Sequence, residues 1–237
     1  MKKAIVIWSI TCLTIIQVAS QDPFQRVEPR QWEIGISFGE IPIMAGSFKP
    51  GISFGYHFND YLYVGGIYQI VDHIARNGNS FDAAGLGFEN LKSSKERVAP
   101  RSMLQARLRP HRLAPFVSVG LITNGTDVET VEFGHANHQI GDHTYEGPIT
   151  VNIARSGAVR PAIGFGYHYA FKNGIVVSTE WSFDWFHPVP APKLEFDPSF
   201  EVNPDDLATK EAEITEAFQS NFHNRYHIFH LGLGYKF

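Results

Sequence analysis

Seven ionisable residues, Glu33, Arg101, Arg107, Arg160, Glu180, Asp184 and Lys236, stand on one face of segments whose other face is apolar. Enclosed charges are costly unless paired, so the first chemistry they suggest is a salt-bridged network; a gated ion path is the sharper alternative. A tight turn near Asn173 would bring Arg160 and Asp184 near one another. Glu180 would sit opposite Gly166, a gap able to receive an arginine from across the interior. His135, His138 and His143, with Glu132 and Asp142 close by, make metal coordination conceivable. Their spacing matches no established ligand pattern, and a solvated polar loop is the plainer reading, so no metal ligand is assigned. The serines and histidines compose no nucleophile site either: no catalytic residue and no cofactor are expected.

The elements that position these groups are strands. The final segment, Phe229-His230-Leu231-Gly232-Leu233-Gly234-Tyr235-Lys236-Phe237, alternates without a break. Phe229, Leu231, Leu233, Tyr235 and Phe237 share one face, and His230, Gly232, Gly234 and Lys236 the other, because strand side chains alternate with period two. One face suits lipid and the other a crowded polar lumen, although a soluble edge strand can show the same alternation. Period two also marks residues 31–40, 48–58, 62–71, 99–109, 115–122, 159–171, 175–186 and 225–237 as eight strands. Trp32, Ile34, Ile36 and Phe38 face outward in the first, Ile52, Phe54, Tyr56 and Phe58 in the second. In the sixth, Ile163, Phe165, Tyr167 and Tyr169 face outward; in the seventh, Val177, Thr179, Trp181, Phe183 and Trp185. The third is apolar on both faces, which leaves its register open. Connections are very short after strands two, four and six and long after three, five and seven, as they should be in a transmembrane barrel with short periplasmic turns and long outer loops.

Lys2 and Lys3 precede an apolar run from Ala4 to Val18 and then Ala19-Ser20, which predicts a secretory signal peptide over residues 1–20, the barrel domain occupying 21–237. Fifteen apolar residues are short for a spanning helix, which needs about 20. The single cysteine, Cys12, lies in this run, so the mature chain can form neither disulfides nor thiolate metal sites. No later apolar stretch approaches a membrane helix; with 14% aromatic residues and 21 glycines, only a closed sheet could pair its backbone within a bilayer. A net charge of −4 gives no reason to expect nucleic acid.

The Gly-aromatic strands Ile52-Ser53-Phe54-Gly55-Tyr56 and Ile163-Gly164-Phe165-Gly166-Tyr167, the Phe58-Asn59-Asp60 turn and the aromatic C-terminus resemble the small outer-membrane β-barrels of the OmpA/OmpX type. The resemblance implies an eight-stranded barrel with a packed or narrow interior and implies no single activity. It also implies that the Phe229–Phe237 strand, with Leu231, Leu233 and Tyr235, is an assembly signal read by the barrel-assembly machinery. Ten strands stay possible, since Ile149, Val151 and Ile153 alternate ahead of the sixth and form either a separate strand or an extension above the bilayer.

In the last long connection the proline run 188–192 is stiff. Asn203, Pro204, Asp205 and Asp206 then suit a helix start, with Leu207, Ile214 and Phe218 as a thin apolar stripe. Residues 127–146 hold five acids and no Lys or Arg, and residues 195–216 hold eight acids against Lys210 alone. The sequence thus predicts an all-β, eight-stranded antiparallel transmembrane barrel in the outer membrane of a Gram-negative bacterium. Its expected role is non-enzymatic, structural or interactive, through acidic outer loops, with lipid and lipopolysaccharide as surroundings and an unidentified surface partner. A narrow ion or small-solute channel and a lipid-modifying barrel enzyme are the alternatives.

Overall fold

The computed structural model describes residues 31–39, 48–80, 83–111, 113–221 and 224–237; the signal-peptide segment lies outside them. Eight strands close a barrel: β1 (Trp32–Phe38), β2 (Pro50–His57), β3 (Leu62–Gln69), β6 (Arg101–Leu108), β7 (Phe116–Asn124), β10 (Ala158–Ala170), β11 (Ile175–Phe183) and β13 (His227–Lys236). Their order, β1-β13-β11-β10-β7-β6-β3-β2, is antiparallel between every neighbouring pair. These are the eight strands that period two marks in the sequence. The seam is tied at its end by two backbone bonds, Phe237 N to Trp32 O at 2.8 Å and Trp32 N to Phe237 O at 3.0 Å.

The outward residues of β1, β2, β7 and β13, among them Ile34, Ile36, Ile52, Phe54, Val117, Val119, Leu231 and Leu233, are exposed and apolar and make a belt. At the end carrying the short turns, aromatic rings crowd together: Trp32 meets Tyr56 at 4.8 Å and Tyr169 meets Phe171 at 4.8 Å between centroids. Inside, Ile67, Met103, Ile122, Ala162 and Ile228 form a buried apolar layer. This layer explains why the third segment reads as apolar on both faces: Ile67 of β3 belongs to the lumen core, and Val64 and Tyr68 to the exterior. Gly55 and Gly65 lie against the ring of Tyr63, where a Cβ at either position would collide with it.

The long connections differ from the expected loops. Five further strands, β4 (Asp72–Asn77), β5 (Leu91–Val98), β8 (Asp127–Ile140), β9 (His143–Arg155) and β12 (Lys193–Pro198), build a second sheet in the order β12-β9-β8-β5-β4, called the crown below. Ile149, Val151 and Ile153 belong to β9, so the barrel keeps eight strands and the ten-stranded alternative falls away. The crown has its own core, in which Val131, Phe133, Ile149, Val151 and Ile153 pack with Leu86 of the short helix α1 (Ala83–Leu86) and Ile214 of α2 (Pro204–Ser220). Helix α2 starts where the sequence places it: Asn203 is the N-cap and its side chain accepts from Asp205 N.

Candidate functional site

The lumen is cross-linked from wall to wall. Arg107 on β6 reaches Glu180 on β11: its Nε donates to Oε2 at 3.0 Å, and Nη2 lies 2.7 Å from the same oxygen. Gln105 Nε2 also donates to Oε2 at 2.9 Å, while Ser118 and Ser182 hydroxyls donate to Oε1 at 2.5 and 2.8 Å. The guanidinium lies between the rings of Tyr63 and Phe116, at 4.7 and 4.8 Å from their centroids. Gly166 pairs with Glu180 in register, and a Cβ there would strike the Phe116 ring at 2.5 Å, so glycine admits the arginine's aromatic support.

Glu33 lies at the turn end, with Lys236 as its register partner. Its Oε2 accepts from His57 Nε2 at 2.8 Å and His168 Nε2 at 2.7 Å. At the crown end, Arg101 Nη2 donates to Asp127 Oδ2 at 3.1 Å, and Asp127 Oδ1 accepts from Ala99 N at 2.7 Å. Arg160 and Asp184 both lie within electrostatic reach of Tyr226. The β10–β11 ladder ends at the Ile163–Phe183 pair; Arg160 continues beside Ile122 of β7, while Asp184 is held by His187 Nδ1 at 2.9 Å and Phe186 N at 3.0 Å. His57, His168, Gln105, Ser118 and Asp127 are network members that sequence reading did not single out. Parity alone puts His57 and His168 on the inner face with Glu33; which groups meet across a lumen depends on the stagger of the strands, which no single segment encodes.

The crown holds a second ionic cluster. Glu96 Oε2 accepts from both terminal nitrogens of Arg76 at 3.0 Å, and Glu96 Oε1 from Arg155 Nη1 at 3.3 Å. The fully buried Glu129 stands 3.9 Å from Arg76 and 3.7 Å from Arg155, and Ser80 donates to it at 2.8 Å. Burial and then the neighbouring Glu129 charge push the Glu96 carboxyl up to about 7, with Arg76 offsetting only part. The three loop histidines separate: His135 stands 3.8 Å from Glu146, His138 is buried with its Nε2 2.8 Å from Gly147 O, and His143 Nδ1 is 2.8 Å from Asp206 Oδ2. Part of the acidity of residues 127–146 is matched by bases elsewhere in the fold: Arg101 of β6, Arg76 and Lys95 of the β3–β6 connection, and Arg155 at the end of β9. Glu195, Asp197, Glu201, Asp205, Glu211, Glu213 and Glu216 remain exposed.

Chemically, the lumen is a polar interior crossed by ion pairs and filled beside a buried apolar layer. Ser178 Oγ and His230 Nε2 are 3.0 Å apart, but both residues are buried and, among the described residues, His230 Nδ1 has no hydrogen-bond partner to orient it.

No protein-family model matches the sequence, and no curated protein matches it significantly. Among solved structures, the chain is similar to CarO2 of Acinetobacter baumannii, with a TM-score of 0.60 and 14% identity over 87% of this chain and 98% of that one. It is similar also to CarO of the same organism, with a TM-score of 0.56 and 12% identity over 90% of this chain and 100% of that one. At such identity the likeness is one of fold. The closed barrel, its strand order and this likeness together give the chain the architecture of the small outer-membrane barrels of the OmpA/OmpX type.

Proposed function

We propose that the chain spans the outer membrane of a Gram-negative bacterium as a plugged barrel and works, without catalysing a reaction, as a surface module that displays the crown. The observation that carries this reading is the pairing of a filled lumen with a separately cored crown: the barrel supplies an anchor, and the elaborated structure lies at one end only. The exposed apolar belt suits hydrocarbon, and aromatic rings at the turn end suit a bilayer interface. Residues 1–20 act in this reading as the export signal, and the barrel-assembly machinery inserts the mature chain. The solvent-facing acids of β12 and α2 offer an anionic face to cationic partners or to divalent ions beside lipopolysaccharide.

Because the mature chain would lack cysteine, single-cysteine variants test the orientation. Glu211→Cys in α2 should react with a membrane-impermeant maleimide on intact cells, and Lys172→Cys in the β10–β11 turn only after the outer membrane is permeabilised. The opposite pattern, or equal labelling, overturns the topology. In planar bilayers the refolded protein should be silent; reproducible openings that change with Glu180→Gln would establish a channel instead.

A further inference from the structure

The Glu33, His57 and His168 side chains bring three potential metal-ligand atoms together in the lumen. We propose that they form a buried site for one transition-metal ion of the zinc class at the turn end of the lumen. This departs from the sequence-based expectation of no metal ligand, and it is independent of what the crown does.

The three donors come from three strands, β1, β2 and β10, and are 3%, 4% and 5% exposed. Both imidazole Nε2 atoms aim at one carboxylate oxygen, at 2.8 and 2.7 Å, and the ligand atoms all lie within 4.8 Å of one another. Two imidazoles and a carboxylate are a borderline-soft set that suits Zn²⁺ or Co²⁺ better than Mg²⁺ or Ca²⁺. Tetrahedral bonds of about 2.0–2.2 Å separate ligand atoms by roughly 3.3 Å, so each contact has to open by about 0.5 Å. A cavity of about 10 Å³ borders the cluster, lined by His57, His168, Tyr63 and Arg107 among others. Its size suits a single water, which is the fourth ligand such a site requires.

The rival is a carboxylate that merely accepts two N–H bonds. That arrangement leaves His57 Nδ1 buried without a hydrogen-bond partner among the described residues. Coordination through Nε2 shifts each ring's proton to Nδ1 with no net proton change, and gives His57 an N–H able to donate to cavity water. The opposing group is Arg109: its Nη1 lies 3.5 Å from His168 Nδ1, and its Nε is anchored on Asp60 O at 2.5 Å. When His168 Nδ1 becomes a donor the two repel, so Arg109 weakens the site and its removal should strengthen it. A plain hydrogen-bond cluster has no reason to respond that way.

The test uses the full mature barrel, refolded in detergent, stripped with chelator and dialysed against Zn²⁺ or Co²⁺. Wild type should retain close to one ion per chain, the Co²⁺ form showing the visible absorption of a low-coordinate nitrogen and oxygen site. Glu33→Gln and His168→Gln should each weaken binding at least about tenfold. Arg109→Gln should tighten it, and His230→Gln, a buried lumen histidine outside the cluster, should leave it unchanged. Heat-modifiable gel mobility identifies the folded variants. If Glu33→Gln or His168→Gln fails to fold, wild-type stoichiometry and the Arg109→Gln comparison decide. Folded wild type that retains no stoichiometric ion, Arg109→Gln with unchanged affinity, or loss of binding in His230→Gln equal to that in His168→Gln overturns the proposal.

Discussion

At the scale of single residues, the lumen turns on how completely each buried charge is met. Glu180 takes bonds from Arg107, Gln105, Ser118 and Ser182, and Arg107 is only 4% exposed. Glu180→Gln removes the countercharge but leaves the cation enclosed, so it should destabilise the folded barrel by about 3–5 kcal/mol, read as a lowered urea midpoint in micelles. A second change, Arg107→Met, should recover much of that loss, because it removes the stranded charge. Period-two parity shows from sequence that both residues point inward and that Gly166 leaves room for an arginine. It cannot show that the arginine is Arg107 rather than Arg101 or Arg160. In the crown, Glu96 supplies a pH signature. Its folded-state value of about 7 lies above the ordinary carboxylate range, so between the two the folded state binds more protons than the unfolded chain. Crown stability therefore falls as pH rises from about 5 to 7, by something on the order of 2 kcal/mol. Arg76, Arg155, Glu129 and Asp127 surround the group and set this balance. Glu96→Gln should flatten the slope of crown hydrogen-exchange protection over that window; a slope that persists unchanged would assign the effect to another group.

At the scale of elements, α2 is held to the crown by a clasp. Asp206 accepts from Tyr145 OH at 2.6 Å, from His143 Nδ1 at 2.8 Å and from Asp142 N at 3.4 Å, all on or beside the β8–β9 hairpin. Gly141 in that hairpin has φ +59°, and a Cβ there would stand 2.5 Å from Asp206 Oδ1 and 2.7 Å from its Cα. Gly141→Ala combines left-handed strain of about 1–2 kcal/mol with that collision. It should lower hydrogen-exchange protection in α2 while protection in the barrel strands holds; equal loss in both would mean that crown and barrel unfold as one. The helix is legible in sequence because its cap, first-turn acids and stripe agree with one another. The crown strands are not. In β8, Glu129 shares the inner face with Val131 and Phe133, while Val128 lies on the solvent face between Arg97 and Ala154. Buried charges inside the crown blur the contrast that period two relies on, and β5 mixes polar residues on both faces. Ile149, Val151 and Ile153 of β9 and Leu194 and Phe196 of β12 do alternate cleanly, but those residues alone do not say whether they extend a barrel strand or pair elsewhere.

At the scale of the whole molecule, the open question is how the barrel is delivered to its closed state, and Phe237 is the residue on which two accounts disagree. Its ring is 54% exposed, and its backbone is bonded both ways to Trp32 at the seam. Phe237→Ser keeps that backbone pair and removes one outward ring, so a loss of burial alone should cost about 1–3 kcal/mol and leave an inserted barrel that melts more easily. If Phe229, Leu231, Leu233, Tyr235 and Phe237 are instead read by the assembly machinery, the strand edge must pair with a receptor before β1 is available, and the terminal ring docks in an apolar pocket. The same substitution then lowers the amount of protein that reaches the membrane, whatever the stability of the molecules that do. The two accounts separate in one experiment. Membrane yield and heat-modifiable mobility of Phe237→Ser are compared with those of Leu113→Ser, a half-exposed apolar change in the β6–β7 turn. A sharp fall in yield for Phe237→Ser alone supports the signal; parental yield with lower thermal stability leaves burial as the whole effect, and β13 would then be one wall strand among eight.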